Sequence, residues 1–193
     1  MPLGGRGFVT VGAAVACCAL AAACTPDPVP TSTQAPTSAA TGPAESHIER
    51  QMRLDYDAAE RAYRMSMVEQ DRQSQLGIAK KTAALRSTAS GDYLQFVLQV
   101  LRDIHDSGWR AKGATTIRGV APSGWRENQL QLKACEDSSA VRFVDKKGQD
   151  VTPRNVVRTY VQDLTVSRIE GHWKVSDIES RPVKNYEGIS CGA

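Results

Sequence analysis

Apolar side chains recur along residues 45–76 at Ile48, Met52, Tyr56, Ala59, Tyr63 and Met67, at intervals of 4, 4, 3, 4 and 4. That spacing places them on one stripe of a long helix. Glu49–Arg53, Asp57–Arg61 and Glu60–Arg64 put an acid four residues before a base, the favoured order on a helix surface. The charges therefore read as a solvated face, and Gly77 as a stop. Residues 79–88 suggest a short helix. Asp92 is placed to cap another one running through His105, with Leu94, Val97, Leu98, Leu101 and Ile104 on one side and Gly108 at its end.

Beyond Gly108 the period changes to two. Ala114–Val120, Gln129–Cys135, Val141–Val144, Val156–Ile169 and His172–Arg181 read as strands. Asp145-Lys146-Lys147-Gly148 is a turn, and Glu170-Gly171 is the two-residue turn of a hairpin. In the long strand, Val157, Thr159 and Val161 share one phase while Leu164 and Val166 occupy the other. A bulge near Gln162–Asp163 would reconcile them. Helices first and strands afterwards predict an α+β fold, with the N-terminal helices on a curved, cone-like antiparallel sheet of four to six strands.

The segment before residue 45 follows neither pattern. Arg6 precedes an uncharged run, Phe8–Ala23, that is 16 residues long, near the length of a secretory h-region and short for a membrane-spanning helix. It ends in Ala21-Ala22-Ala23 directly before Cys24, with Leu20 one place ahead of the usual position for leucine. Small residues before a cysteine resemble the lipobox of bacterial lipoproteins. That resemblance implies a signal peptide at 1–23, lipid on Cys24 and a location at the extracytoplasmic face of the cell membrane. Cys17 and Cys18 are competing acceptors, and an ordinary secretory signal or an uncleaved anchor are the other readings. Two acyl chains hold a protein stably, whereas one is marginal. In residues 25–44, Pro, Thr, Ser and Ala fill 16 of 20 places. Such a linker does not bury enough apolar surface to fold. Stretched as polyproline II it reaches on the order of 60 Å. The folded domain is then 45–193.

The long N-terminal helix, the helix ending L-R-D-I-H-D-S-G-W, and the strands bearing L-K-A-C-E-D and I-E-G-H-W-K-V resemble nuclear transport factor 2-like (SnoaL or ketosteroid isomerase-like) domains. Such domains occur in secreted proteins and lipoproteins of actinobacteria and their phages. The resemblance covers roughly residues 46–191 and implies a sheet that encloses a pocket. Some members of that superfamily use the pocket for catalysis, and others serve in dimerisation or scaffolding. The expectation is a non-catalytic domain that binds or scaffolds an envelope protein partner. The rivals are a small-ligand binder or isomerase- or hydratase-like enzyme, and a phage-derived protein that excludes superinfection.

The candidate chemistry is sparse. Cys135 and Cys191 are the even pair left once Cys17, Cys18 and Cys24 are assigned to the leader. In an oxidising compartment they are expected to form a disulfide, stabilising by about 4 kcal/mol in the chain-entropy picture. Buried free thiols or a redox or metal site are the alternatives. His47, His105 and His172 share no metal-ligand spacing, and no GxSxG, Walker A or GxGxxG occurs. Neither metal nor cofactor is expected. A net charge of +3 is too small to argue for nucleic acid. An enzyme would need a base and a donor facing one cavity, and Asp163, Tyr160 and Tyr63 are the catalytic candidates. Trp109, Trp125 and Trp173 either line a pocket mouth or a partner surface, or pack.

Overall fold

A computed structural model describes residues 45–187, 189 and 191. The leader, Cys24 and the Pro/Thr-rich linker lie outside the described residues. Among the described residues no helix is long and apolar enough to cross a membrane.

Helix α1 spans His47–Leu76. Ser46 caps it in a capping box: its hydroxyl accepts the Glu49 amide, and the Glu49 carboxylate accepts the Ser46 amide. Gly77 closes it in the left-handed conformation (φ 63°), which glycine adopts without a Cβ penalty. Glu49 is thus engaged with the cap, Arg53 pairs with Glu45 instead, and of the three expected i, i+4 pairs the described contacts contain Glu60–Arg64. The expected apolar stripe holds from Tyr56 on, with Met52 half-buried. Ile48 is exposed, and the buried face continues as Ala62, Tyr63, Ser66, Met67, Glu69, Gln73 and Ser74. Among the first turns, Tyr56 packs on the core edge and Asp55 is buried against Arg168 and Trp173.

Helix α2 (Ala83–Thr88) is capped by the Thr82 hydroxyl. Helix α3 (Gly91–Asp106) starts from Ser90, so Asp92 lies inside the first turn rather than at the cap. Leu94, Val97, Leu101 and Ile104 are buried as expected from their spacing, and Leu98 packs on the core edge. The α1–α2 loop is held by a buried acid. Glu69 accepts hydrogen bonds from Arg72, Gln73 and the Thr82 hydroxyl. Arg72 above all, then Thr82 and Gln73, hold its carboxyl down at about 2.

The strands are β1 (Arg110–Lys112), β2 (Thr116–Arg126), β3 (Gln129–Asp137), β4 (Arg142–Val144), β5 (Thr159–Ile169) and β6 (His172–Val183). They form an antiparallel sheet in the order β2-β3-β5-β6 and a small two-stranded sheet, β1 with β4. The fold is α+β, with the helices on one face of a curved sheet. Strand β1 escaped the alternation pattern because three residues carry too little of it. The β5–β6 turn is Glu170-Gly171, both at positive φ (53° and 79°), as a type I′ turn requires.

The expected bulge at Gln162–Asp163 is absent. Strands β3 and β5 pair without interruption from Gln129↔Ser167 to Asp137↔Thr159. The irregularity lies instead on β6, where Thr165 pairs with Asp177 and Val166 with Val175, leaving Ser176 extra. The phase change along β5 has another cause. Gln162, Leu164 and Val166 point to the helices, while Val161, buried on the opposite face, pairs with Cys135. Cys135 and Cys191 are joined with Cα atoms 5.6 Å apart, inside the usual range for a bridge. The C-terminal segment therefore covers the outer face at this point.

Candidate functional site

Strand β3 alternates Leu130, Leu132 and Ala134 toward the helices, and the same parity carries Glu136 inward. Glu136 is only 8% exposed. The Tyr63 hydroxyl donates to its Oε1, and Gln162 Nε2 donates to its Oε2 at 2.8 Å. Tyr63 comes from α1 and Gln162 from β5, so three elements meet on one carboxyl. Burial raises the Glu136 pKa, against the opposing pull of the Tyr63 and Gln162 hydrogen bonds. Burial and the neighbouring Glu136 charge likewise push the Tyr63 hydroxyl well up. Beneath them, Ser66 donates to the Tyr93 hydroxyl at 3.1 Å. Gln162 Oε1 is buried without a hydrogen-bond partner. A buried acceptor left open is costly, and here it belongs to the side chain that closes the cluster.

The cluster opens on a cavity of about 340 Å³ walled by Met67, Tyr93, Phe96, Tyr160 and Ile178 as well as Glu136 and Gln162. Tyr160 and Ser138 also line a second cleft of about 350 Å³, whose other walls include Val100, Val141, Phe143, Val156 and Val157. Asp71 of α1 faces this second cleft and accepts the Thr115 amide at 3.1 Å. Burial raises its pKa to about 6, with a further push from Glu136 and an opposing one from Thr115. Two carboxyls that hold protons above the usual range thus sit in adjoining, mainly apolar spaces.

Of the three catalytic candidates, the fold brings Tyr160 to both cavities, buries Tyr63 behind Glu136 and sends Asp163 elsewhere. Tyr160 stands between the two clefts, its hydroxyl donating to the Val157 carbonyl at 2.9 Å. Asp163 lies on the outer face of β5, where it bridges Lys133 and, at 2.7 Å, Arg181. Burial works against its charge, but Lys133 and Arg181 outweigh it and hold its pKa low. It has no path to the Tyr63 cluster through the sheet. Glu136, Gln162 and Asp71 were not singled out from the sequence. For Glu136 the signal was there: it continues the inward alternation of β3.

Among the described residues no three His, Cys, Asp or Glu gather as a metal site. His105 is tied to the Gly77 carbonyl at 2.8 Å. Trp109 stacks obliquely near Phe143, with ring centroids 6.0 Å apart. Trp173 is buried, bonded to Asp55 through its indole N–H and covered by Arg168. Trp125 packs on the core edge with its N–H buried and without a partner.

No protein-family model matches the chain, and no curated protein sequence matches it. Solved structures similar to it include a putative dehydratase from the NTF2-like family of Streptomyces avermitilis. That pair is 14% identical, covering 69% of this chain and 99% of that one, at a TM-score of 0.44. A putative aromatic ring hydroxylase from Novosphingobium aromaticivorans is 13% identical over 67% of this chain and 92% of that one, at 0.46. The intermembrane space region of the chloroplast protein ARC6 is 14% identical over 61% and 92%, at 0.42.

Proposed function

We propose that the chain is a lipid-anchored extracytoplasmic protein whose domain binds a small, largely apolar ligand bearing one hydrogen-bond donor. The observation that carries the ligand reading is the Glu136–Gln162 pair set into the wall of a mainly apolar cavity. Pockets for small molecules combine such apolar walls with a few fixed polar groups. A scaffold that docks through its sheet would instead present an apolar outer face. Here that face carries Gln129, Gln131, Lys133, Asp163, Thr165 and Ser167. The partner reading keeps one support, the exposed Leu54, Met65, Val68 and Leu76 along α1. Binding does not need the proton chemistry of an isomerase or hydratase.

The anchor rests on the Ala21-Ala22-Ala23-Cys24 run. Cys24→Ala is expected to move the protein from the detergent phase to the aqueous phase or to block processing; a normally cleaved chain that stays in the membrane overturns the anchor. For the cavity, 2-naphthol serves as a neutral aromatic donor. It is expected to bind the full chain, and Gln162→Leu, which removes the amide from the cavity wall, should weaken it about tenfold. No binding, or binding indifferent to Gln162→Leu, overturns the ligand reading. Turnover of an enolisable ketone that is lost in Glu136→Gln would instead establish the enzyme.

A further inference from the structure

The second cleft does not end at its apolar walls. Pro153 and Arg158 are shared with an open cleft of about 450 Å³ on the other side, into which Arg142 and Arg154 also face. Among the described residues these three arginines form no ion pair. Arg50, Arg53, Arg64, Arg72, Arg118, Arg168 and Arg181 all do. Two of the three are held in place by groups that do not neutralise them. Arg142 Nη1 donates to the carbonyls of Ser139 (2.7 Å) and Val141 (3.2 Å). Arg158 donates from Nη1 to Val141 (3.3 Å) and from Nη2 to Pro153 (3.0 Å). Their remaining N–H groups keep the fork geometry that suits carboxylate and phosphate oxygens. Asp150 is the one acid in the lining, and its carboxylate already accepts the Thr152 amide at 2.8 Å. Three cations against one anion leave the cleft at +2.

A mouth of net positive charge thus opens into a mainly apolar chamber lined by Val141, Phe143, Val156 and Val157, the last two 45% and 44% exposed at the lip, with the Asp71 carboxyl also in its lining. We infer that this joined cleft takes an anionic amphiphile: a carboxylate or phosphate head on Arg142, Arg154 and Arg158, with its apolar chain running toward Tyr160. The inference concerns a second site, separate from the Glu136–Gln162 cavity, and stands independently of the ligand reading above.

The full chain in lipid nanodiscs, with empty discs subtracted, can be titrated with octanoate, octyl phosphate, 1-octanol, octyltrimethylammonium and inorganic phosphate. The two anionic amphiphiles are expected to bind at least tenfold tighter than octanol and a hundredfold tighter than inorganic phosphate, and the cation not at all. Each CH₂ added to the chain should tighten binding several-fold. Arg142→Gln with Arg154→Gln should cost the anions at least tenfold and leave octanol unchanged. Both side chains are exposed at the lining, so the fold should survive, which a thermal melt verifies. Arg102→Gln with Arg126→Gln, the same loss of charge away from the cleft, should change neither. The relative strength of octanoate and octyl phosphate tells a fatty carboxylate from a phospholipid-type head. If octanol binds as well as the anions, if the cleft variant binds anions normally, or if no amphiphile binds, the inference falls, while naphthol binding and its response to Gln162→Leu decide the reading above separately.

Discussion

Glu136 and Asp163 are acids on neighbouring strands of one sheet, and they have opposite environments. Glu136 points under the helices, meets a tyrosine and an amide, and is driven toward its neutral form. Asp163 points outward, meets a lysine and an arginine, and is held as a carboxylate. In the β3–β5 register, Glu136 lies opposite Tyr160 and Asp163 opposite Lys133, an odd number of residues apart along the ladder. That parity alone decides which acid can serve a cavity. A carboxyl's chemistry in this domain follows from the face it occupies, not from how apolar its sequence neighbours are.

Three substitutions sharpen the contrast. The largest effect is expected at Tyr63, which is fully buried and donates to Glu136. Tyr63→Ala empties a ring-sized volume and strips the carboxyl of a donor, costing about 3–5 kcal/mol in a denaturant titration. A loss below 1 kcal/mol would mean that the inner cluster is not part of the core.

Asp71 comes next and has a pH signature. Its pKa rises from 3.8 in the unfolded chain to about 6 in the folded one. The folded state therefore binds the extra proton, so its contribution is full below pH 3.8 and is lost as pH rises through about 6. Asp71→Asn, which keeps an acceptor for the Thr115 amide, should remove that slope. It should stabilise the protein at pH 7.5 by about 1 kcal/mol, discounted because part of the side chain meets water. Melting curves from pH 4 to 7.5 with the same slope in both proteins would show that Asp71 is not strained.

The smallest effect belongs to Asp163. Asp163→Asn should change stability by less than about 1 kcal/mol, since its partners are largely solvated, and should leave naphthol and octyl phosphate binding as they were. A binding defect there would overturn the assignment of faces.

Much of this was legible beforehand. The 3.6-residue spacing of Leu94, Val97, Leu101 and Ile104 gave away α3, and Glu170-Gly171 the hairpin. Glu136 was readable too, as the next inward step after Leu130, Leu132 and Ala134. The buried half of α1 was hidden because polar side chains fill it: Ser66, Glu69 and Gln73 spend their hydrogen bonds on Tyr93, Arg72 and the Lys80 segment. Hydropathy registers such residues as exposed, and only tertiary partners make their burial affordable. Asp163 misled for the converse reason. Two faces of β5 are covered near Val161, so its phase looked broken and a bulge was invoked where the backbone is regular. The arginine cleft was invisible because its members come from β4 and the following loop, and converge only when Val141, Ser139 and Pro153 supply the carbonyls that hold them.

The bulged residue of β6 limits how this domain can vary. Ser90 donates to the Val175 carbonyl, Ala89 bridges Val175, and a Cβ on Gly91 would stand 2.8 Å from the Ser176 oxygen. The corner between α2 and α3 is therefore seated on the strand with no room for a side chain at residue 91, where φ is 53°. A relative that needed a roomier chamber could not obtain it by lifting α3, because the corner and the hairpin would have to change together. The stretch from 138 to 158 is pinned only at its start, where a Cβ on Gly113 would stand 2.5 Å from the Ala140 oxygen and β4 pairs with β1; residues 145–158 beyond it are loop, open to insertion and deletion. Diversification of ligand preference in this architecture should accordingly accumulate there, at the arginine side of the cleft, while the helix side stays as it is.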